Sequence, residues 1–188
     1  MADWRELERA LANQISGERL AHTYRVLETA RALGSRYGAD AQQVSVAALM
    51  HDYGKGMKPD QLLAHGRQRG LIVDPAEEAQ PELLHGPVAA ALLAEQGLVT
   101  DPAVLDAIRY HTTGRAGMSL LEKVIWLADY IEPGRRFPGV EAIRAEAEAD
   151  LNRALLHALD NSIIYVIQRG WALHRYSVEA RNWLLQEL

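Results

Sequence analysis

Histidines and aspartates stand at the ends of several apolar stretches of this chain, and His51 and Asp52 are adjacent. Imidazole nitrogens and carboxylate oxygens together bind divalent transition metals such as iron, manganese, cobalt and zinc. A metal held in this way lowers the pKa of water towards about 7 and so supports hydrolysis. The candidate residues for such a centre are His22, His51, Asp52, His85, His111 and Asp129.

Helical spacing places most of these side chains on core-facing stripes. The stripes are His22, Val26, Ala30, Leu33 and Tyr37; Val44, Ala47, Ala48 and His51; Val104, Ile108 and His111; and Leu121, Ile125, Ala128 and Asp129. An ionised aspartate buried without a partner would cost several kcal/mol or change its protonation. A bound cation supplies the missing charge, so the recurring pattern predicts a metal centre.

Capping residues, prolines and glycines predict an all-α protein that positions these side chains. No segment alternates convincingly with a period of two, and no linker or repeat divides residues 1–188, so one domain is expected. The expected helices run from Asp3 to about Ile15, Gly17 to Tyr37, Asp40 to Asp52, Pro59 to Arg69, Asp74 to Pro81, Pro87 to Gln96, Pro102 to His111 and Ser119 to Glu132, followed by a stretch to Arg169 that is reset at Asp150 and a last helix capped by Ser177.

Composition excludes several classes of function. The chain has no cysteine, which removes disulfides, thiolate zinc sites and cysteine nucleophiles. A net charge of −5 disfavours a broad basic surface for a nucleic-acid polymer. No apolar run approaches the roughly 20 residues of a membrane span, and the charged start, Met1 to Glu6, leads into no apolar signal segment. A cytoplasmic protein without membrane partners is therefore expected.

Each candidate residue also has an ordinary interpretation. A single histidine is more often a hydrogen-bonded core or surface residue than a ligand. Asp52 and Asp129 could belong to ion pairs at helix ends, although a carboxylate there opposes the helix dipole. The repetition across several helices favours the metal centre over these separate explanations. His65 and His157 lack such a setting and are interpreted as surface residues.

The order of these residues resembles that of the HD-domain metallohydrolases, which use a histidine, an adjacent His-Asp pair and a distant aspartate to hold a metal in a helical bundle. Longer strings resemble the bacterial YqeK branch, the symmetrical diadenosine tetraphosphate hydrolases. The resemblance extends from about Arg19 to Asn182. The strings are His51-Asp-Tyr-Gly-Lys55, Leu84-His-Gly-Pro87, Ala107-Ile-Arg-Tyr-His-Thr-Thr-Gly114 and Leu127-Ala-Asp-Tyr-Ile-Glu-Pro-Gly-Arg-Arg-Phe-Pro-Gly139.

The resemblance implies cleavage at the centre of a dinucleoside tetraphosphate, which gives two nucleoside diphosphates. It implies iron as the usual metal, one or two ions, and a homodimer. His85 and His111 would complete a second metal site or face the phosphates. The first metal's ligands would be His22, His51, Asp52 and Asp129.

Further residues are candidates for catalysis or substrate binding. Lys55, on a glycine-flanked loop, could meet phosphate or be a solvated lysine, and Arg135 and Arg136 could hold a phosphate or pair with the acidic segment 141–148. The catalytic candidates are Asp52, Lys55, His85 and His111. The substrate-binding candidates are Arg19, Lys55, His85, His111, Thr112, Tyr130, Arg135, Leu173 and His174.

One segment departs from the family pattern. Relatives tend to show Tyr-Pro before the last helix, whereas this chain reads Leu173-His-Arg-Tyr-Ser177. If that stretch lines the nucleoside pocket, base selectivity would differ from that of relatives, while the metal chemistry would not.

Three other functions fit parts of the pattern. Some relatives of this superfamily activate oxygen at a di-iron centre, but the basic residues Lys55, Arg135 and Arg136 favour hydrolysis. A non-catalytic nucleotide regulator would be expected to have lost ligands, whereas all six candidates are intact. Hydrolysis of another phosphate ester, such as a nucleotide monophosphate or a cyclic dinucleotide, stays open because the sequence does not report pocket length.

Overall fold

The computed structural model describes residues 3–188, which form eleven α-helices and one 3₁₀ helix without any strand in that range. The expected all-α class is confirmed. The helices are α1 Trp4–Ala12, α2 Gly17–Tyr37, α3 Ala41–Met50, α4 Pro59–Arg69, α5 Pro75–Ala79, α6 His85–Glu95, α7 Pro102–Tyr110, α8 Leu120–Ile131, α9 Val140–Ala149, α10 Leu151–Gln168 and α11 Arg175–Leu184, with the 3₁₀ helix at Pro81–Leu84.

Side-chain caps fix where many of these helices begin. Ser119 and Glu122 form the predicted capping box of α8, in which each side chain satisfies a backbone amide of the other residue. Such a cap stabilises a helix by about 1 kcal/mol. Aspartates cap five other helices with their side-chain oxygens: Asp3, Asp40, Asp74, Asp101 and Asp150.

The core brings the helices that carry the candidate residues into contact. Helix α2 packs on α3 and α8, and α7 packs on α3, α6 and α8. Fully buried aliphatic side chains such as Val26, Val44 and Ile125 fill the space between them. The amphipathic stripes identified in the sequence therefore meet in one place, because each buries its apolar face against the others.

Several helix limits differ from the predictions. Helix α1 ends at Ala12 rather than Ile15, because the amides of Gln14 and Ile15 both turn back to the carbonyl of Leu11. Helix α6 begins at His85 rather than Pro87, directly after the 3₁₀ helix. The reset at Asp150 is confirmed, since its carboxylate caps α10.

The last helix was predicted to be capped by Ser177, which is wrong. Helix α11 begins at Arg175, and the cap is His174, whose Nδ1 accepts a hydrogen bond from the amide of Tyr176. Ser177 lies inside the first turn of this helix.

No helix within residues 3–188 is both long enough and apolar enough to cross a lipid bilayer. Met1 and Ala2, where the expectation about the signal segment begins, lie outside the described residues.

The turn after α3 is closed in by backbone from two other elements. A Cβ on Gly54 would overlap the carbonyl oxygen of His85, and a Cβ on Gly56 would overlap that of Gln14. Backbone cannot move aside as a side-chain end can, so only glycine fits at these positions. The turn that follows His51 and Asp52 is thereby held against the start of α6.

We expect Gly54→Ala to lower the free energy of unfolding by about 1–3 kcal/mol, because the added methyl group forces backbone apart. The control is Gly66→Ala in α4, whose Cβ would meet only the side-chain ends of Leu84 at 3.1 Å and Ile72 at 3.2 Å. Its stability should change by less than about 1 kcal/mol, since alanine also favours the helix. Urea denaturation measures both, and equal effects would contradict this account of the turn.

Candidate metal centre

The six candidate residues converge at one end of the bundle. His22 lies in the second turn of α2, His51 and Asp52 follow α3, and His85 begins α6. His111 directly follows α7, and Asp129 lies in the last turn of α8. Four of the six, namely His51, Asp52, His85 and His111, are buried.

Two overlapping groups have their potential ligand atoms close together. Atoms of His22, His51 and Asp129 all lie within 4.8 Å of one another, as do atoms of His51, Asp52 and His111. Within the first group, Nε2 of His22 is 3.0 Å from Oδ1 of Asp129. Ligand atoms this close to one another are compatible with a shared ion.

The carboxylate of Asp52 lies between two pairs of imidazoles. Its Oδ2 is 3.8 Å from Nε2 of His51 and 3.9 Å from Nε2 of His22. Its Oδ1 is 3.3 Å from Nε2 of His85 and 3.9 Å from Nε2 of His111. One carboxylate oxygen therefore faces each pair.

Backbone contacts fix the tautomers of three histidines. Nδ1 of His51 lies 2.7 Å from the carbonyl oxygen of Ala48, and Nδ1 of His111 lies 2.7 Å from that of Ile108. Nδ1 of His85 contacts the carbonyl oxygen of Glu82 in the same way. A carbonyl only accepts hydrogen bonds, so Nδ1 carries the hydrogen and Nε2 of each neutral ring has a lone pair.

Among residues 3–188, nothing donates a hydrogen bond to Nε2 of His51, which is buried without a partner. Nε2 of His85 and Nε2 of His111 are 2.9 Å apart, so two lone pairs face each other. Burial and the neighbouring His85 and His51 lower the pKa of His111 to about 3, and burial and Lys55 lower the pKa of His85. Protons are therefore poor partners for Nε2 of His85 and of His111 at neutral pH, and a metal cation is a suitable one.

The two aspartates stay ionised beside them. Burial raises the pKa of Asp52, but His51 and His85 outweigh burial and hold that pKa well below its usual range. The pKa of Asp129 is also well below its usual range, because a hydrogen bond to His22 and the charges of His51 and Arg135 outweigh its burial. Ionised carboxylates and imidazole lone pairs form a donor set that fits a divalent transition metal.

Glu132, which the sequence marks only as a helix end, supports this centre. Its buried carboxylate places Oε1 3.1 Å from Nδ1 of His22. Its Oε2 accepts hydrogen bonds from Nε of Arg25 at 2.7 Å and from the amide of Gly134. A carboxylate on the far nitrogen of a ligand histidine fixes the ring's orientation and tautomer. The available signal was its spacing, three residues after Asp129 on one helix face.

The predicted basic residues line the cavity beside the centre. This cavity has a volume of about 390 Å³ and is lined by Arg19, Lys55 and Arg135 together with His22, Asp52, Asp129 and Glu132. Nη1 of Arg19 is 3.8 Å from Oδ2 of Asp52, and Nη2 of Arg135 is 2.6 Å from Oδ1 of Asp129. The hydroxyl of Thr112 lies 3.4 Å from Nε2 of His85 and 3.3 Å from Nε2 of His111.

Other candidates lie elsewhere. Arg136 is exposed. Tyr130 stacks on Trp126 and lines a separate groove that shares Arg135 with the cavity. His174 lines a cavity of about 120 Å³ with Tyr110 and Tyr176, and Leu173 before it is half-buried.

We expect Glu132→Gln to weaken metal binding by about 10–100-fold, because His22 loses the carboxylate that orients it. The control is Glu95→Gln, which removes an exposed carboxylate paired with Arg69. Metal titration followed by equilibrium dialysis measures affinity, and circular dichroism verifies the fold. An unchanged affinity in folded Glu132→Gln would exclude this positioning role.

The contact between Glu77 and His174 leads to a second prediction, which concerns the pH dependence of stability. Oε2 of Glu77 accepts hydrogen bonds from the amides of Val73 at 2.6 Å and Asp74 at 3.0 Å, and Oε1 is 3.4 Å from Nε2 of His174. Burial raises the pKa of Glu77, but His174 and these amides outweigh burial and lower the pKa below its usual 4.5. The ionised carboxylate therefore stabilises the fold above pH 4.5, and the stabilisation is lost as pH falls through the lowered pKa.

Glu77→Gln should accordingly be less stable than the native protein near neutral pH, and the two should converge as the pH drops below 4.5. The control is Glu78→Gln, which changes the neighbouring exposed carboxylate. Thermal unfolding at a series of pH values measures the difference. A constant gap at all pH values would mean that ionisation of Glu77 does not stabilise the fold.

Comparison with known proteins gives consistent matches. The HD domain family matches residues 19–134. The symmetrical bis(5'-nucleosyl)-tetraphosphatase of Bacillus subtilis (strain 168) is 41% identical over 184 residues, which cover 95% of this chain and 97% of that protein. The protein of the same name from Staphylococcus aureus (strain NCTC 8325 / PS 47) is 34% identical over 178 residues, covering 94% of this chain and 91% of that protein.

A solved structure is also similar over its full length. It is the crystal structure of an HD superfamily hydrolase from Clostridium acetobutylicum, described as involved in NAD metabolism. The two chains are 38% identical, each is covered to 100%, and the TM-score is 0.94. Similarity at this level extends to the whole arrangement of helices.

Proposed function

Because this chain belongs to the HD-domain family, we propose that it is a metal-dependent phosphohydrolase that cuts diadenosine tetraphosphate and related dinucleoside tetraphosphates symmetrically into two nucleoside diphosphates. One observation carries the proposal: the cluster of imidazoles and carboxylates opens on a cavity lined by basic side chains. The imidazoles and carboxylates suit a metal, and the basic side chains suit a polyphosphate. The names of the relatives at 34–41% identity support the substrate class.

The metal would be held by His22, His51, Asp52 and Asp129, and iron is proposed first, with manganese, cobalt or zinc as alternatives. When bound, a divalent metal supplies Lewis acidity and lowers the pKa of water. The position of Asp52 supports a second ion on the side of His85 and His111, because each of its oxygens faces one pair of imidazoles.

Basic side chains would bind and orient the polyphosphate. Arg19, Lys55 and Arg135 place positive charge around one cavity, which offsets the repulsion between the substrate and the carboxylates. Arg135 already contacts Asp129, so a phosphate can bridge from this guanidinium towards the centre. Orienting the scissile linkage and neutralising its charge are the main requirements of phosphoryl transfer.

His85, His111 and Thr112 would act at the reacting phosphates. The Nε2 lone pairs of the two histidines suit an ion better than a proton, because the pKa of each ring is lowered. The hydroxyl of Thr112 lies beside both nitrogens and can donate a hydrogen bond to either one or to a phosphate oxygen. Asp52 and Lys55 complete the proposed catalytic group.

The remaining expectations belong to the same proposal. Tyr130, Leu173 and His174 would contact the nucleosides. The protein would act in the cytoplasm as a homodimer, with one catalytic domain over residues 1–188, and its partner would be a small nucleotide rather than a nucleic-acid polymer or a membrane. The resemblance of the whole chain to the tetraphosphatases supports these points.

Product analysis with diadenosine tetraphosphate and added iron or manganese tests the function. Symmetrical cleavage should give only ADP. Asp52→Asn should lower kcat by more than about 100-fold, since even an outer-shell partner of a ligand contributes that much. The control is Asp60→Asn, which changes an exposed aspartate of α4. ATP together with AMP as products, or full activity of Asp52→Asn at unchanged metal content, would contradict the proposal.

A further inference from the structure

A groove of about 600 Å³ runs between the end of α8 and the C-terminal half of α10. We call it the α10 groove, and its volume is in the range typical of small-molecule sites. It is lined by Tyr130, Phe137, Asn161, Ile164, Tyr165 and Gln168, with Arg135 at one end.

Arg135 lies between the groove and the metal centre, because its side chain borders both. The same side chain lines the 390 Å³ cavity and contacts Oδ1 of Asp129 at 2.6 Å. Tyr130 of the groove is the residue directly after Asp129. A polyphosphate held by Arg135 can therefore extend towards the α10 groove.

The lining of the α10 groove changes from ionic to aromatic. Tyr130 has one face stacked on Trp126 and contacts Phe137 edge-on, with ring centroids 4.9 Å apart. Tyr165 is 47% exposed and Ile164 is 50% exposed. The guanidinium of Arg169 lies over one face of the Tyr165 ring, 5.0 Å from its centroid, so a ligand would stack on the other face. A nucleobase has a π-face that stacks well on such rings.

The charge of its lining distinguishes this groove from another large cavity. That cavity, of about 710 Å³, is lined by Asp40 and Asp101 and has no basic residue among its described lining. Its carboxylates would repel a polyphosphate. The described lining of the α10 groove has Arg135 as its single charged residue, so an anionic substrate meets attraction at one end and no repulsion beyond it.

We propose that the α10 groove binds the nucleoside of one half of the substrate, with the base against Tyr165 and the phosphate chain leading past Arg135. The inference rests on the proposed function, because a symmetrical dinucleoside substrate carries a nucleoside on each side of the cleaved linkage. The side-chain amides of Asn161 and Gln168 make no hydrogen bonds within residues 3–188 and line the groove. Each can offer a donor and an acceptor to the edge of the base.

Steady-state kinetics of the metal-loaded full-length protein tests the inference. Tyr165→Ala should raise KM for diadenosine tetraphosphate about tenfold with kcat within about twofold, since one stacked base is lost far from the reacting atoms. Tyr165→Phe, which keeps the aromatic ring, should have the same KM as the native protein. The control Tyr24→Ala removes another exposed tyrosine, 40% exposed and on α2, and should leave KM unchanged.

The outcomes separate the two proposals. A native protein that does not release ADP from diadenosine tetraphosphate refutes the proposed function, and this inference with it. A native protein that does so, together with an unchanged KM in Tyr165→Ala, refutes the inference alone. Light scattering tests whether a second copy of the chain occupies the groove instead. If Tyr165→Ala changes the oligomeric state at unchanged KM, the groove is an interface between two copies and the inference is wrong.

Discussion

The fold brings imidazole lone pairs and carboxylate charges together at a largely buried centre. Nε2 of His85 and Nε2 of His111 face each other at 2.9 Å, with Asp52 beside both. Burial opposes protonation of His85 and His111, while the pKa of Asp52 lies well below its usual range, so lone pairs and an ionised carboxylate face one another. Such an arrangement is unfavourable unless a cation neutralises it, so binding of a metal and the stability of this end of the bundle are linked.

Helix packing holds these groups in place at moderate cost, because ordinary apolar contacts position them. Residues such as Val26, Val44 and Ile125 bury α2, α3 and α8 against one another, and each helix carries its polar residue at the end of the buried stripe. Backbone carbonyls then select the tautomers of the histidines. The ligand geometry thus follows from local helical structure and one shared core.

Much of this arrangement was predictable from the sequence, and the misses have physical reasons. Periodic apolar residues placed His22, His51, His111 and Asp129 inward, because helix faces follow directly from spacing. Glu132 was missed, since a carboxylate at a helix end looks ordinary until its partners, Arg25 and Gly134, are known from the fold. Ser177 was wrongly predicted to cap the last helix: capping by the imidazole of His174 depends on the path of the loop, and the contact of His174 with Glu77 joins segments distant in sequence.

The close approach of Gly56 to the backbone of Gln14 shows that residues before the matched stretch help to form the site. The stretch that matches the HD domain family, residues 19–134, contains the six candidate residues of the metal centre, yet the turn bearing Lys55 packs against the carbonyl of Gln14, which precedes that stretch. A fragment trimmed to the matched residues would keep these six residues, but it would lose Arg135 at one end and, at the other, the backbone against which the Lys55 turn packs. The working unit is therefore larger than the recognisable motif, and transplanting the motif alone into another scaffold would leave its polyphosphate-facing side unsupported.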